Sequence, residues 1–280
     1  MHGQPELITS RRNPLVKYLR ALHTPRGRRE HGAVLLEGGH LLQEVLRLGL
    51  RPEQLVATHD WLQAHPDLAA GRAGWPAWQP VSAEVMAAAA STDHPDGVLL
   101  TLAPPATAPL PDQLAADGHP LPLVLALDAI QDPGNLGTLM RTALAAGAEA
   151  LWLAEGADPF QPKVLRASAG AALALPIWRG SRAELFGRLE RLDALGFQLV
   201  ATVPPQPGAI PYWELDWSGP TVLLLGNEGQ GLAAELQALA HRRVTIPHSG
   251  AVESLNVAVA AAPLLLERQR QQLIGDAATG

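Results

Sequence analysis

Three short polar segments interrupt the apolar second half of this 280-residue chain, and their side chains suit the binding of a polar ligand. Each segment follows an apolar run that predicts a buried strand. Because ligands of open α/β sheets bind beyond the carboxyl ends of the strands, we expect one composite site. The segments are Asn135-x5-Arg141, Gly226-Asn227-Glu228-Gly229 and Ser254-Leu255-Asn256.

The first segment combines an amide with a single guanidinium. Asn135 follows a Pro-Gly pair and is a candidate N-cap for the next helix. Arg141 is the only charged residue between Leu136 and Gly147. A lone guanidinium on an apolar helix is usually kept for a carboxylate, a phosphate or a reacting oxygen. The plain alternative is that Asn135 only caps the helix and that Arg141 only forms a surface ion pair.

The other two segments offer a carboxylate and small polar side chains. Glu228 lies among glycines, without the Gly-Lys-Ser of a nucleoside-triphosphate loop, and suits a cationic or hydroxyl-bearing ligand. Ser254 and Asn256 are expected in the first turn of a long helix, where unpaired N–H groups can gather on a ligand. The plain alternatives are an exposed turn for Glu228 and helix capping for Ser254.

Strands and helices alternate in this half of the chain, which predicts an α/β domain with a mostly parallel sheet. Each of the three polar segments follows one of the predicted strands. The strands are predicted at 123–127, 150–154, 198–203, 221–225 and 243–246, and the helices at 135–146, 161–172, 181–194, 231–239 and 253–271.

The length of the chain favours two domains. Six prolines between Pro104 and Pro122 predict an extended linker over 105–122. We therefore expect domains at 1–104 and 123–280. The first is a small α/β domain, with strands predicted at 33–36, 55–57 and 98–102 and helices at 13–22, 40–48 and 82–90.

The net charge of −6 argues against nucleic acid, but residues 1–30 hold seven basic side chains and two acids. A local basic face can contact phosphates on an acidic protein, because salt screens distant charge. The alternative is a solvated helix. Trp61, Trp75 and Trp78 are candidates for stacking on bases, although tryptophans more often belong to the core. The candidate RNA-binding residues are Arg11, Arg12, Lys17, Arg28 and Arg29.

The composition excludes several classes of protein. The chain has no cysteine, which rules out a disulfide scaffold and thiolate metal ligands and fits a reducing cytoplasm. No apolar stretch approaches the roughly 18 residues of a membrane span, and the N-terminus does not resemble a signal peptide. We therefore expect a cytoplasmic protein without membrane association.

Taken together, the three polar segments resemble those of the SpoU branch of the SPOUT superfamily (TrmH-like enzymes). These enzymes methylate ribose 2′-hydroxyls of RNA with S-adenosylmethionine. The first domain resembles the ribosomal-protein-like substrate-binding domain that members carry. That second resemblance rests on Ile8-Thr9-Ser10, Asn13-Pro14-x-Val16-Lys17, Arg28-Arg29-Glu30 and Leu36-Glu37-Gly38.

The resemblance implies a trefoil knot at the C-terminal end, a homodimer and S-adenosylmethionine as the cofactor. Methyl transfer from a sulfonium needs no metal. Family cofactor contacts correspond to Gly226, Ile246 and Leu255, and more weakly to Thr202 and Glu228. Family catalytic positions correspond to Asn135, Arg141, Glu228, Ser254 and Asn256.

Arg141 is the family's proposed activator of the acceptor hydroxyl. An arginine essentially never releases its proton, so we expect it to stabilise the developing alkoxide electrostatically. In this hypothesis Asn135 orients Arg141, while Ser254 and Asn256 position the ribose or the cofactor.

Several alternatives stay open. Ribosomal RNA is favoured because a separate RNA-binding domain suits a large structured target. Transfer RNA is the alternative substrate, and methylation that confers drug resistance is also open. A non-catalytic knotted RNA-binding or assembly module would retain the fold without turnover. A dehydrogenase is disfavoured because no Gly-x-Gly-x-x-Gly follows a first strand, and the segment spacing disfavours a base-methylating relative.

Overall fold

The computed structural model describes residues 5–105, 107 and 122–279, with side chains up to residue 274. The chain divides into two compact units. The first comprises Met1–Pro104 and Asp158–Leu173, and the second comprises Pro105–Ala157 and Ala174–Gly280. The sequence did not predict that residues 158–173 would pack with the first unit. Most of the predicted linker, 105–122, lies outside the described residues.

The first unit contains a four-stranded sheet in the order β1-β4-β2-β3. β2 and β3 are parallel, and the other two pairs are antiparallel. The strands are β1 Val34–Glu37, β2 Gln54–Thr58, β3 Trp78–Val81 and β4 Val98–Leu102. The helices are α1 Pro14–Ala21, α2 Pro25–His31, α3 Gly39–Arg47, α4 His59–Ala64, α5 Pro66–Ala69 and α6 Ala83–Ala89.

The strands and helices predicted for this unit are confirmed, but β3, α2, α4 and α5 were missed. β3 holds a proline and pairs at the edge of the sheet, where the missing N–H is tolerated, so its sequence does not read as a strand. α1 is capped as expected, because the side chain of Asn13 accepts a hydrogen bond from the Leu15 N–H and Pro14 begins the helix.

Arg28 belongs to the interior of this unit, which corrects its assignment as an RNA contact. Its side chain is 6% exposed. The guanidinium donates to the backbone oxygen of Leu22 and to Oδ2 of Asp158, both at 2.7 Å. Both partners hold it within the protein, so it cannot reach a phosphate on the surface.

The tryptophans of this unit are mostly structural. Trp61 is 4% exposed, so the alternative that it belongs to the core is correct. Trp75 and Trp78 are half-buried. The indole N–H of Trp78 donates to the backbone oxygen of Leu68 at 3.2 Å, which anchors the ring within the unit.

The second unit contains a seven-stranded sheet in the order β7-β6-β5-β10-β8-β11-β9, and all its pairs are parallel. The strands are β5 Leu123–Asp128, β6 Ala150–Ala154, β7 Ile177–Gly180, β8 Gln198–Thr202, β9 Ile210–Pro211, β10 Thr221–Leu225 and β11 Arg242–Thr245. Strands covered on both faces read as continuous apolar runs, and β5 and β10 are buried at every position.

The later helices are α7 Pro133–Ala145, α8 Pro162–Ala167, α9 Ala171–Ala174, α10 Arg182–Ala194, α11 Ala234–Leu239 and α12 Val257–Thr279, with a 3-10 turn at Tyr212–Glu214. The predicted α/β class and all five predicted strands of this unit are confirmed, while β7 and β9 were missed. Among the described residues, no helix is both long enough and apolar enough to cross a bilayer.

Two helix predictions need correction. The helix expected at 161–172 is broken, because Ala169 and Gly170 adopt left-handed backbone angles of φ 48° and 87°. The helix expected at 253–271 begins only at Val257. Ser254 and Asn256 therefore lie before the helix and not in its first turn.

Candidate active site

A cavity of about 400 Å³ lies at the carboxyl edge of the second unit's sheet. Three loops line it, and they follow β8, β10 and β11. The sheet therefore brings together segments that are far apart in the sequence, as the positions of the polar segments predicted. The cavity-lining parts of these loops fall within 203–205, 226–232 and 246–255.

The glycines after β10 allow this loop to close on itself. Asn227 and Gly231 exchange backbone hydrogen bonds of 3.0 and 2.9 Å. The side chain of Asn227 also accepts from the N–H groups of Gly229 and Gln230. A Cβ on Gly226 would lie 2.0 Å from the backbone nitrogen of Leu232. Gly226 is thus required by the close approach of the two ends of the loop.

Asp128, at the end of β5, fixes the far end of the same loop. Its Oδ2 accepts from the Ala233 N–H at 3.0 Å, and its Oδ1 accepts from Nε of Arg182 at 2.8 Å. The carboxylate is buried and has partners on both oxygens. This residue was not among those predicted from the sequence. The available signal was a carboxylate that ends a buried apolar strand, where it needs a partner.

Glu228 joins the β10 loop to the turn before α7. Its carboxylate accepts hydrogen bonds of 3.1 Å from the N–H groups of Gln131 and Asp132 and from Nδ2 of Asn135. Burial raises the pKa of Glu228, but these hydrogen bonds together lower it below its ordinary value. Glu228 is therefore an ionised acceptor that holds 131–135, and not merely an exposed turn residue.

Asn135 and Asn256 continue this connection. Oδ1 of Asn135 accepts from Nδ2 of Asn256 at 2.9 Å. Oδ1 of Asn256 accepts from the N–H groups of Ala258 and Val259, in the first turn of α12. The ionised Glu228 can only accept, so it sets the orientation of both amides in turn. One residue from each polar segment thus forms a continuous series of hydrogen bonds.

The capping role expected of Asn135 belongs instead to Asp132. The side chain of Asp132 accepts from the Asn135 N–H at 2.8 Å, and α7 begins at Pro133. Asn135 therefore lies inside the first turn of α7. Its side chain is free to cross to the neighbouring loops.

Arg141 does not meet the cavity within one chain. It lies on α7 and is exposed, and it is not among the residues that line the cavity. In the described part of the chain it makes no hydrogen bond or ion pair, and none joins it to Asn135. The expectation that Asn135 orients Arg141 is therefore corrected, because the Asn135 amide is engaged by Glu228 and Asn256.

All five residues expected to contact the cofactor line the cavity. They combine backbone surface, apolar side chains, a hydroxyl and a carboxylate. Ser254 also lines it and is exposed, whereas Asn256 is exposed but is not among the lining residues. The five are Thr202, Gly226, Glu228, Ile246 and Leu255.

The composition of the cavity fits a nucleoside-containing ligand. Its volume falls in the usual range for small-molecule sites. The hydroxyls of Thr202 and Thr245 are buried and have no hydrogen-bond partner among the described residues. A buried hydroxyl without a hydrogen bond lowers the stability of the fold, and a bound ligand can supply the missing hydrogen bond. Sequence analysis missed Thr245, because a threonine in a strand carries no special signal.

The remaining predicted RNA contacts lie on the surface of the first unit. Arg11, Arg12, Lys17 and Arg29 are exposed, and none of them makes an ion pair within the described residues. Exposed cations without partners are available to phosphates. Because Arg28 is buried, the candidate phosphate contacts are these four side chains.

Two family profiles match the chain. The SpoU rRNA Methylase family matches residues 122–266. The MRM3-like substrate binding domain matches residues 13–100.

Similar proteins span nearly the whole chain. An uncharacterized tRNA/rRNA methyltransferase of Synechocystis is 44% identical, over 95% of this chain and 94% of its own length. The 23S rRNA (guanosine(2553)-2′-O)-methyltransferase RlmP of Bacillus subtilis is 36% identical, over 92% of this chain and 97% of its own. The AdoMet-bound rRNA methyltransferase of Sinorhizobium meliloti superposes with a TM-score of 0.79 at 34% identity, over 96% of this chain and 99% of its own.

Proposed function

The chain belongs to the SpoU rRNA methylase family, and from that premise we propose that it methylates a ribose 2′-hydroxyl of ribosomal RNA with S-adenosylmethionine. The observation that carries the proposal is the cavity at the sheet edge, with Glu228, Asn135 and Asn256 joined beside it. Named relatives are 23S rRNA 2′-O-methyltransferases, and a similar structure holds AdoMet.

When bound, S-adenosylmethionine supplies an electrophilic methyl group on a positively charged sulfur. Gly226, Ile246 and Leu255 would hold it through backbone and apolar surface, and Thr202 and Thr245 would supply hydroxyls. The hydrogen bonds from Glu228 through Asn256 fix two of the loops relative to each other. Transfer to an oxygen requires alignment more than covalent catalysis, so the rigid loops contribute by positioning.

Ser254 and Arg141 are the candidates for contact with the ribose. Ser254 is exposed on the wall of the cavity, where its hydroxyl can bind the sugar or the cofactor. Arg141 keeps its proton, so its role is to stabilise negative charge on the 2′-oxygen or to bind an adjacent phosphate. Asn135, Glu228 and Asn256 act by positioning the loops around these groups.

We propose a homodimer in which Arg141 of one copy meets the cavity of the other. Val259, Leu266 and Leu273 are 62, 45 and 65% exposed, and they recur every seven residues along α12. This spacing places them on one face of the helix. α12 packs against α7, which carries Arg141. An exposed apolar face beside an unpartnered guanidinium suits an interface that completes the site.

The first unit would bind the RNA. We assign substrate binding to 1–104, a linker to 105–122 and methyl transfer to 123–280. The match of 13–100 to a substrate binding domain and the exposed Arg11, Arg12, Lys17 and Arg29 support this division. We place the reaction in the cytoplasm, in accord with an rRNA substrate and the absence of cysteine. The trefoil knot stays a prediction from the family.

Mapping of 2′-O-methyl groups in RNA from a strain that lacks this gene tests the proposal. We expect one ribosomal RNA position to lose its methyl group, to regain it with the wild-type gene, and to stay unmodified with Arg141→Ala. Arg191→Ala, an exposed arginine on α10, serves as the matched control and should restore the modification. Loss of a transfer RNA or base methyl group instead would refute the assignment.

A further inference from the structure

A second cavity, of about 650 Å³, is lined only by residues of the first unit. It lies where the ends of β2 and β3 meet the start of β4. Thr58, Val81 and Gly97, which line it, mark these three places. The candidate active site uses none of its residues.

Stacked aromatic rings form one wall of this cavity. Trp61 stacks on His65 with ring centroids 4.3 Å apart and planes 19° apart, and Trp78 packs on Trp61 at 5.4 Å. His65 is exposed, and its Nδ1 lies 2.9 Å from the backbone oxygen of Trp61, which fixes the ring. An exposed planar ring held in one orientation is the kind of surface on which an unpaired nucleobase stacks.

The carboxylates of Asp60, Asp93 and Asp96 line the cavity, together with the imidazoles of His59, His65 and His94. Asp60 and Asp93 are exposed, and neither makes a hydrogen bond or ion pair within the part of the chain that the structure describes. Asp96 is partly engaged, since its Oδ2 accepts from the Gly39 N–H at 2.7 Å. Trp61 is 4% exposed, and its indole N–H is buried with no acceptor among the described residues.

These groups select a base rather than a phosphate. Carboxylates repel the RNA backbone, so a ligand of this cavity must present N–H donors. Among the bases, guanine offers two adjacent donors, N1–H and the N2 amino group, to a carboxylate.

The segment that follows Leu7 in the sequence supplies positive charge for the phosphates that flank a bound base. Leu7 lines the cavity, and Ile8 pairs with Val81 at the edge of the sheet. Arg11 and Arg12 follow within five residues of Leu7 and are exposed. An extended chain of that length reaches at most about 17 Å, so the backbone of Arg11 and Arg12 lies within that distance of Leu7.

We propose that this cavity binds one unpaired guanine of the RNA substrate. The base stacks on His65 and directs its Watson–Crick edge to Asp60 and Asp93, while Arg11 and Arg12 contact the flanking phosphates. The inference rests on the proposed function only in taking the substrate to be RNA.

The test uses the full chain and fluorescein-labelled single-stranded heptamers, with dissociation constants from fluorescence anisotropy. The probes are heptauridine and the same strand with a central guanosine or inosine. Guanosine should bind about tenfold more tightly than heptauridine, as expected for a paired set of base contacts. Inosine, which lacks the N2 amino group, should fall between them.

Variants locate the preference in the cavity. Asp60→Asn combined with Asp93→Asn should abolish the guanosine preference, while the affinity for heptauridine should not fall, because the change removes two negative charges. The control is Asp67→Asn, an exposed acid outside the cavity, which should keep the preference. His65→Ala should weaken binding of both strands, and His65→Phe should restore it through stacking.

Equal affinity of the wild type for the guanosine strand and heptauridine would overturn the proposal, as would a preference that survives the double substitution. If circular dichroism shows that the double variant is unfolded, the comparison of His65→Ala with His65→Phe tests the proposal instead. Unchanged binding in His65→Ala would then overturn it. Methylation of ribosomal RNA is measured separately. A wild type that methylates without base preference refutes only the guanine site, whereas base preference without methylation refutes the proposed function.

Discussion

Oδ1 of Asn135 accepts a hydrogen bond from Nδ2 of Asn256 at 2.9 Å, although the two residues lie 121 positions apart. This contact joins the start of α7 to the start of α12. Glu228 holds the other end of the Asn135 amide. The three motif residues therefore act on each other, and their first role is to fix the loops around the cavity.

The Asn135–Asn256 contact should give non-additive effects on cofactor affinity. Asn135→Ala and Asn256→Ala each break the same series of hydrogen bonds, so the double variant should lose less binding free energy than the sum of the single ones. We expect a coupling of about 1 kcal/mol from titration calorimetry with S-adenosylmethionine. Strictly additive losses would mean that the contact does not position the loops.

Glu228 should make cofactor affinity depend on pH in a defined direction. Its pKa is lowered below the ordinary value of 4.5, so its contribution is complete above that value and is lost as the pH falls through the lowered pKa. The contribution of Glu228 to cofactor affinity should thus be constant from about pH 8 to 5. Below about pH 5 the affinity should fall as the carboxylate is protonated. Glu228→Gln should bind less tightly at pH 7, because an amide offers one acceptor oxygen. An unchanged affinity in Glu228→Gln would contradict this role.

Gly226→Ala should distort the loop after β10. The added Cβ would lie 2.0 Å from the backbone nitrogen of Leu232, so the loop must open. We expect cofactor affinity to fall at least tenfold in calorimetry, while the circular dichroism spectrum is retained. Gly187→Ala, on α10, has nothing within 4 Å of its Cβ and should bind normally. Equal affinity of the two variants would show that the loop is not part of the site.

Arg28 and Arg29 are adjacent in the sequence but should behave differently. Arg28→Ala removes the guanidinium that pairs with Asp158, whose side chain is 13% exposed, and should reduce the free energy of unfolding by about 3 kcal/mol. Arg29→Ala should leave stability unchanged and reduce the salt dependence of RNA binding by roughly 0.8 in log–log slope. Urea denaturation and binding at several salt concentrations separate the two effects. A loss of stability in Arg29→Ala, or a reduced salt dependence with unchanged stability in Arg28→Ala, would contradict the roles given to the two residues.

The sequence predicted the parallel sheet because β5 and β10 are buried at every position and consist mostly of apolar residues. It also predicted that the polar segments would meet, because they follow such strands. β9 was missed because two residues are too few for a clear pattern, and β7 was missed because only two of its four residues are apolar.

The individual contacts could not be predicted, because they depend on partners far away in the sequence. Asn135 resembles a cap, and only the structure shows that Asp132 takes this place. Arg28 looks like its exposed neighbours, but its partner Asp158 lies 130 positions further on. Local sequence patterns describe elements, whereas burial of a charge is decided by the tertiary fold.

The most direct test is to incubate the purified protein with ribosomal RNA and methyl-labelled S-adenosylmethionine, and to identify the labelled nucleoside by mass spectrometry. We predict a single 2′-O-methylnucleoside from the wild type and almost none from Arg141→Ala, whose calorimetric affinity for the cofactor stays within about twofold. A label on a base, or no label with a cofactor-loaded and folded wild type, would contradict ribose methylation at this site.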